Sequence, residues 1–340
     1  MKKTTLEDLV EKVKKEKAPR MLWNGIPEGS SGLITGVAKT GKTTLAENLA
    51  ISLSCGLDEF LGHEINVDPQ KVLFINFEES YKLRIRRNIK QLEKLNDEQV
   101  RLVNKNFYST PIEFPEFLNN EEDWKIVSDY IEDINPDIIF MDSLTRMCVG
   151  EIERSSVAQN FSQMFNKYIR ALDKTVIVVH HNVKGNEKPI SQETISGSRV
   201  ISQEFEYAIG LAKIPSNAGG NYCSVVYNKH IPEELMSVTY TIDGFGWLNS
   251  GNKVYASDLY KNSNIDYRKG SQNKEKIAEY LKSRSSQGCQ TFTTQALKHK
   301  FVESSTSTMT KDTFHNNMNK LVDEGLINKS KRGEYTISNQ

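Results

Sequence analysis

Hydrophobic and polar positions change period repeatedly along the first 250 residues, and the changes predict alternating strands and helices. Leu33-Ile34-Thr35 is a short apolar, β-leaning run, after which apolar residues recur at 45, 49 and 53 with helical spacing. Residues 72–77 are almost continuously apolar, as a strand buried on both faces should be. A basic helix is expected over 81–95 and another over 121–134, stopped by Asn135-Pro136. Strands at 138–141 and 175–179 flank a helix over 157–172. Helices interleaved with apolar strands predict an α/β fold with a mainly parallel sheet covered on both faces. After His181 the pattern changes to strands joined by short turns, at 205–212, 222–228, 237–242 and 246–248, which predicts an antiparallel extension.

The ends of the chain read differently. Residues 1–20 form a charged amphipathic helix (Leu6, Leu9, Val10, Val13) ending at Pro19, an arm that packs on a neighbour or frays. Residues 21–249 make the main domain, and the polar stretch 250–272 is the best linker candidate. Residues 273–340 predict three helices, at 274–284, 294–301 and 309–324, and a hairpin with a basic tip at 328–333. Gly325 stands at the C-terminal cap of the third helix. Three helices and a hairpin resemble a winged helix-turn-helix domain. On that resemblance the third helix offers Lys311, Thr313, His315, Asn316 and Lys320 to a major groove, and Lys329, Lys331 and Arg332 in the wing meet phosphate or the minor groove. A protein-docking module of the same shape is the competing reading.

Charge sharpens this division. The chain has no net charge, yet from Arg268 onward 13 Lys/Arg stand against 7 Asp/Glu, a net +6, so the first 267 residues carry −6. A basic tail on an acidic domain suggests nucleic acid as its partner. At 340 residues the chain exceeds the size at which one core stops growing. No stretch approaches a bilayer span, so no membrane is expected. The scattered Cys55, Cys148, Cys223 and Cys289 suit a reduced cytoplasm and argue against structural zinc.

The candidate chemistry starts at Gly36-Val37-Ala38-Lys39-Thr40-Gly41-Lys42-Thr43, which reads G-x-x-x-x-G-K-T between a predicted strand and a predicted helix that opens at Thr44. Backbone N–H groups of such a loop cradle a polyphosphate; Lys42 reaches the β- and γ-phosphates, and Thr43 places its hydroxyl on Mg²⁺. Hydrolysis needs more. Asp142 ends a strand and is the candidate metal-ordering acid; as an alternative it caps the following helix. Glu78 and Glu79 follow the strand ending at Phe77, and Glu78 is the favoured general base, with Glu79 tuning it. Two solvated acids opening a helix are the bland alternative. His180 and His181 end the next strand, where a histidine can report on the γ-phosphate; a buried structural His pair is the alternative.

In this order, Gly36–Thr43, Phe77-Glu78-Glu79-Ser80, Phe140-Met141-Asp142-Ser143 and Val179-His180-His181-Asn182-Val183-Lys184 resemble the RecA-superfamily ATPases of the plasmid RepA hexameric helicase type, relatives of the DnaB and KaiC ATPase domains. Trp23-Asn24-Gly25-Ile26-Pro27, Cys55-Gly56 and Phe60-Leu61-Gly62 agree, and the resemblance covers about 21–245. It implies a RecA-like P-loop core and a ring, usually of six subunits. ATP and Mg²⁺ would lie between neighbours, with hydrolysis coupled to movement along single-stranded DNA. By position it makes Lys42 and Thr43 phosphate and metal ligands, Asp142 the metal-shell acid, Glu78 the base and His181 the γ-phosphate sensor. One departure stands out. The family commonly carries Arg-Gly-Ser-Ser where this chain has Ser196-Gly197-Ser198, leaving Arg199 or Lys229 to supply a cation to the neighbouring site, with a surface salt bridge as the alternative for either.

If the ring architecture holds, two loops face its channel: 146–156, and 184–194 with Lys184 and Lys188. Either could equally be a solvated turn. The leading expectation is therefore an ATP-dependent DNA helicase or translocase in replication of a plasmid, phage or other mobile element. It would be a cytoplasmic homo-oligomer working on single-stranded and duplex DNA with primase or other replication proteins. The alternative is a nucleotide-switched DNA-binding regulator that does not unwind; a KaiC-like regulatory ATPase with protein partners is a third.

Overall fold

The structure is a computed structural model that describes residues 4–181, 189–195, 199–214, 220–231, 235–261, 269–286, 291–303, 309–323, 325–331 and 333–337. Chain contacts divide it into two units, Met1–Asn262 and Ser263–Gln340.

The first unit opens with helix α1 (Leu6–Lys15), capped by the reciprocal Thr5–Asp8 box, and a short ladder of β1 (Met21–Trp23) and β2 (Ile26–Pro27). Then follow β3 (Ser31–Gly36), α2 (Lys42–Cys55), the small β4–β5 ladder (Glu59–Phe60, His63–Glu64), β6 (Val72–Asn76) and α3 (Tyr81–Leu92). Next come α4 (Asp97–Asn106), β7 (Phe107–Ser109), α5 (Glu121–Ile134), β8 (Ile138–Asp142), α6 (Ser155–Tyr168) and β9 (Thr175–Val179). The unit ends with α7 (Arg199–Glu204), β10 (Tyr207–Lys213), β11 (Asn221–Asn228), β12 (Ser237–Ile242), β13 (Leu248–Val254) and α8 (Ala256–Lys261).

Nine strands form one sheet in the order β13-β12-β11-β10-β3-β9-β8-β6-β7. The six from β10 to β7 run parallel, and the other three extend it antiparallel. Alternation along each central strand explains the layering. Ile34, Phe74, Phe140 and Ile177 pack with Leu45 and Leu49 of α2 on one face. Their sequence neighbours Leu33, Leu73, Ile139 and Val178 pack with Trp124 and Val127 of α5 and Phe161 and Phe165 of α6 on the other. Both faces are buried, so the strands read as unbroken apolar runs.

Two regions depart from expectation. Of residues 250–272, expected as linker, 250–254 belong to β13, the sheet's outermost strand, 256–261 form α8, and a further helix starts at 269. The exposed polar residues of β13 carry no hydrophobic alternation, since an edge strand with both faces wet needs none. The span 96–109 adds α4 and β7, although the Asn96–Gln99 capping box was a readable start signal.

The second unit contains α9 (Lys269–Ser286), β14 (Phe292–Thr293), α10 (Thr294–Phe301), α11 (Lys311–Asp323), β15 (Ile327–Lys331) and β16 (Glu334–Ile337). Its strands pair as β14-β16-β15. Ile277, Leu281, Leu297, Phe314, Met318, Leu321 and Tyr335 share one core. Helix α9 begins five residues before the expected start. Among the described residues no helix is long and apolar enough to cross a membrane.

Candidate nucleotide site

The site is built at the carboxyl ends of four neighbouring parallel strands. Pairing aligns Ile34 with Val179, Asp142 with Val179, and Asn76 with Asp142, so the segments leaving β3, β9, β8 and β6 emerge side by side. This edge is where open α/β sheets bind ligands.

Residues 37–41 turn from β3 into α2. Gly41 is the N-cap at φ +87°, a left-handed conformation that a Cβ disfavours, and a Cβ there would also meet Ile242 Cδ1 at 2.6 Å. At Gly36 the constraint is space: an added Cβ would lie 2.3 Å from the Leu211 carbonyl oxygen of β10. The loop is pinned from inside by the Thr40 hydroxyl donating to the Val37 carbonyl at 2.9 Å. From outside, the buried Tyr240 hydroxyl of β12 donates to the Thr40 carbonyl at 2.5 Å. No side chain caps α2, which leaves its first N–H groups available to an anion.

Lys42 opens α2, 7% exposed, and its ammonium donates to the Val37 carbonyl at 3.1 Å. Among the described residues no carboxylate lies within salt-bridge distance of it. Burial pushes its pKa down, opposed by the negative fields of Asp142 and Glu78. A buried cation with a carbonyl for a partner, beside an uncapped helix start, fits a phosphate.

The next residue reaches across the sheet: the Thr43 hydroxyl donates to Asp142 Oδ2 at 2.7 Å. Asp142 is 2% exposed, and burial raises its carboxyl to about 6 against the lowering effect of that hydrogen bond. A hydroxyl and a carboxylate side by side fit Mg²⁺, which takes few protein ligands and completes its shell with water and phosphate oxygens. Among the described residues no group of three or more His, Cys, Asp or Glu could hold a metal by itself.

Glu78 stands on the adjacent strand exit. Its Oε1 accepts from the Ser143 hydroxyl and from Thr145 Oγ1 at 3.2 Å, and His181 Nε2 lies 3.9 Å away. His181 first, then the hydroxyls of Ser143 and Thr145, draw the carboxyl down to about 2 against its desolvation. The structure thus gathers Gly36, Val37, Ala38, Lys39, Thr40, Gly41, Lys42, Thr43, Thr44, Asp142, Glu78 and His181 at one edge. Glu79 points elsewhere, gripped by Arg87 at 2.6 Å. Asn76 secures this turn, accepting from the N–H groups of Glu78 and Glu79, both at 3.3 Å, and donating to the Glu79 carbonyl at 2.6 Å.

Tyr240 and Arg87 escaped the sequence reading, because nothing local in a motif marks a residue that supports a loop from another strand or helix; Asn76 escaped it too, although an Asn two residues before a turn is a local signal. Lys229 donates to the Gln203 carbonyl at 2.8 Å. Ser196, Lys184, Lys188 and Arg332 lie outside the described residues, as do the side chains of Arg199 and Lys331. In the second unit Lys311, His315, Asn316, Lys320 and Lys329 are exposed, while Phe314 and Met318 of the same helix are buried.

A family model described as an AAA domain matches residues 3–187, just over half of the chain. No curated protein matches it. Among solved structures, a KaiC-like protein from the hyperthermophilic archaeon Pyrococcus horikoshii OT3 superposes with a TM-score of 0.45 at 16% identity, over 67% of this chain and 92% of that one.

Proposed function

The chain belongs to the AAA domain family, and we propose that it is an Mg²⁺-dependent ATP hydrolase with a RecA-like core that moves on, or unwinds, DNA. The observation that carries the hydrolase reading is the 2.7 Å Thr43–Asp142 contact with the buried Lys42 cation beside it. Mg²⁺, when bound, would neutralise charge on the β- and γ-phosphate oxygens. The α2 N–H groups and Lys42 would hold those phosphates, and Thr43 and Asp142 the ion. Glu78 would orient the attacking water. A carboxylate held near 2 is ionised but weakly basic, so positioning is its first contribution and proton acceptance follows as His181 and the hydroxyls let go. Water adds to the γ-phosphorus as its bond to the bridging oxygen breaks, and ADP leaves with that electron pair.

The DNA part rests on the second unit. Its three helices, its three-stranded sheet and the exposed Lys311, His315, Asn316 and Lys320 on α11 support a winged helix reading duplex DNA. Arg199 and Lys229 are the candidates for the trans-acting cation, and Lys184 and Lys188 for the single-strand grip of a six-membered ring. A role in replicating a mobile element, with primase or other replication proteins as partners, follows the resemblance of the four motifs to the RepA-type hexameric helicases.

Purified protein should release phosphate from ATP, faster with single-stranded DNA, and Lys42→Ala should abolish release. Unchanged release in that variant would sink the assignment. The second reading, a DNA-binding regulator switched by nucleotide, is favoured by the engagement of Lys229 with its own Gln203 carbonyl, a bond that would have to break for Lys229 to serve a neighbouring site. A forked duplex separates the two: the regulator binds it tightly and displaces no strand.

A further inference from the structure

Helix α3 departs from the charge of its surroundings. Tyr81–Leu92 contains Lys82, Arg84, Arg86, Arg87 and Lys90 and no carboxylate, within a part of the chain that is net negative. Two of the five turn inward. Arg84 is buried over the Phe74 ring, 5.4 Å from its centroid. Arg87 forks between Glu47 of α2 (2.6 and 2.8 Å) and Glu79 (2.6 and 3.0 Å), and the Glu47 side chain is wholly buried.

The other three, Lys82, Arg86 and Lys90, are exposed, and among the described residues no carboxylate lies within salt-bridge distance of any of them. They recur every four residues, about 6 Å apart along the axis. Arg86, Arg87 and Lys90 also line a cleft of about 340 Å³ whose opposite wall is the turn at 243–246, where Asp243 is paired with Lys94 at 3.3 Å and Phe245, 39% exposed, has the Lys94 ammonium over one face at 4.7 Å. That wall is fixed in place. Gly246 carbonyl accepts from Asn48 at 3.0 Å and Gln91 at 3.2 Å, and Trp247 Nε1 donates to the Gln91 carbonyl at 2.8 Å.

We propose that this cleft is a second nucleic-acid contact, taking the phosphates of a single strand along Lys82, Arg86 and Lys90 with a base against Phe245, and that Arg87 couples it to the Glu78–Glu79 turn. A row of cations beside a fixed aromatic ring is how single strands are held without sequence preference. The coupling rests on the hydrolase reading above; the binding does not. A phosphate in the cleft competes with Glu79 for the Arg87 guanidinium. Glu79 is then released, and the Glu78 turn shifts relative to α2, whose first residues are Lys42 and Thr43. The consequence falls on turnover, not on nucleotide affinity.

The test uses the full chain without nucleotide and a labelled oligodeoxythymidylate, titrated by fluorescence anisotropy over a salt series. The Arg86→Glu/Lys90→Glu double variant, and the milder Arg86→Ala/Lys90→Ala, should bind at least tenfold more weakly. Their salt dependence should be shallower by roughly 0.7 for each phosphate no longer neutralised. Both should bind a fluorescent ATP analogue normally, which certifies their fold. Phe245→Ala should weaken binding of the oligonucleotide but not of inorganic polyphosphate. Arg87→Lys, which keeps the charge, should change strand affinity by no more than a few-fold and keep ATP KM while losing the strand's effect on kcat. Unchanged affinity and salt dependence in both double variants would overturn the proposal. So would a Phe245→Ala protein that binds the oligonucleotide as before. If the wild type hydrolyses no ATP, the hydrolase reading fails while the anisotropy still decides the cleft.

Discussion

The Thr43 hydroxyl and the Asp142 carboxylate meet at 2.7 Å although 99 residues of chain separate them. Thr43 lies in the first turn of α2, and Asp142 ends β8, two strands away from the β3 strand that leads into that helix. The contact therefore requires the sheet order and the turn into α2 to be right at once.

This pair has a pH signature. Asp142 has a folded-state pKa raised to about 6 from an ordinary 3.8, so between those values the folded protein binds more protons than the unfolded one. Unfolding free energy attributable to this group therefore falls as pH rises through that window. Glu78, held low, acts in the opposite sense. Comparing wild type with Asp142→Asn isolates the difference: without nucleotide, the variant's advantage in urea unfolding should grow from pH 4 to pH 7. Adding Mg²⁺ and an ATP analogue should stabilise the wild type at pH 8 and do so much less at pH 5, where the carboxyl is protonated. Equal stabilisation at both pH values would contradict a metal role for Asp142.

Glu78→Gln keeps the size of the side chain and removes its charge. The expected result is a loss of roughly 10²–10⁴-fold in kcat, the range for removing a general base, with ATP-analogue affinity within a few-fold of wild type. A KM effect without a kcat effect would reassign Glu78 to binding.

Gly41→Ala forces a Cβ into a left-handed N-cap and against Ile242. Strain of this kind costs about 1–3 kcal/mol, so the variant should melt lower and bind nucleotide roughly tenfold more weakly. A scanning calorimeter and an equilibrium titration read both.

Tyr240→Phe deletes the hydroxyl that reaches the Thr40 carbonyl and leaves the ring packed. The expected destabilisation is about 1 kcal/mol in urea unfolding. A few-fold rise in the dissociation constant of an ATP analogue should accompany it, because the phosphate loop loses its outer anchor. Stability lost with no change in nucleotide affinity would mean that the loop holds its shape unaided.

The amino-acid order alone determined much here. Unbroken apolar runs marked β6, β8 and β9, because strands buried on both faces show no alternation. The glycine, lysine and threonine spacing of 36–43 located the turn into α2, because few backbones other than a phosphate cradle need that combination. Glu78, Asp142 and His181 were legible as polar residues ending apolar strands, and register then brought them together. Tertiary structure decided the rest. β13 is an edge strand whose polar exposure leaves no periodic trace, and β7 is an edge strand of three half-buried residues, too short to show a period, so pairing with a neighbour alone defines them. Tyr240 and Arg87 act through contacts made between a strand and the loop or between helices, and their chemistry depends on a distance that no local spacing encodes.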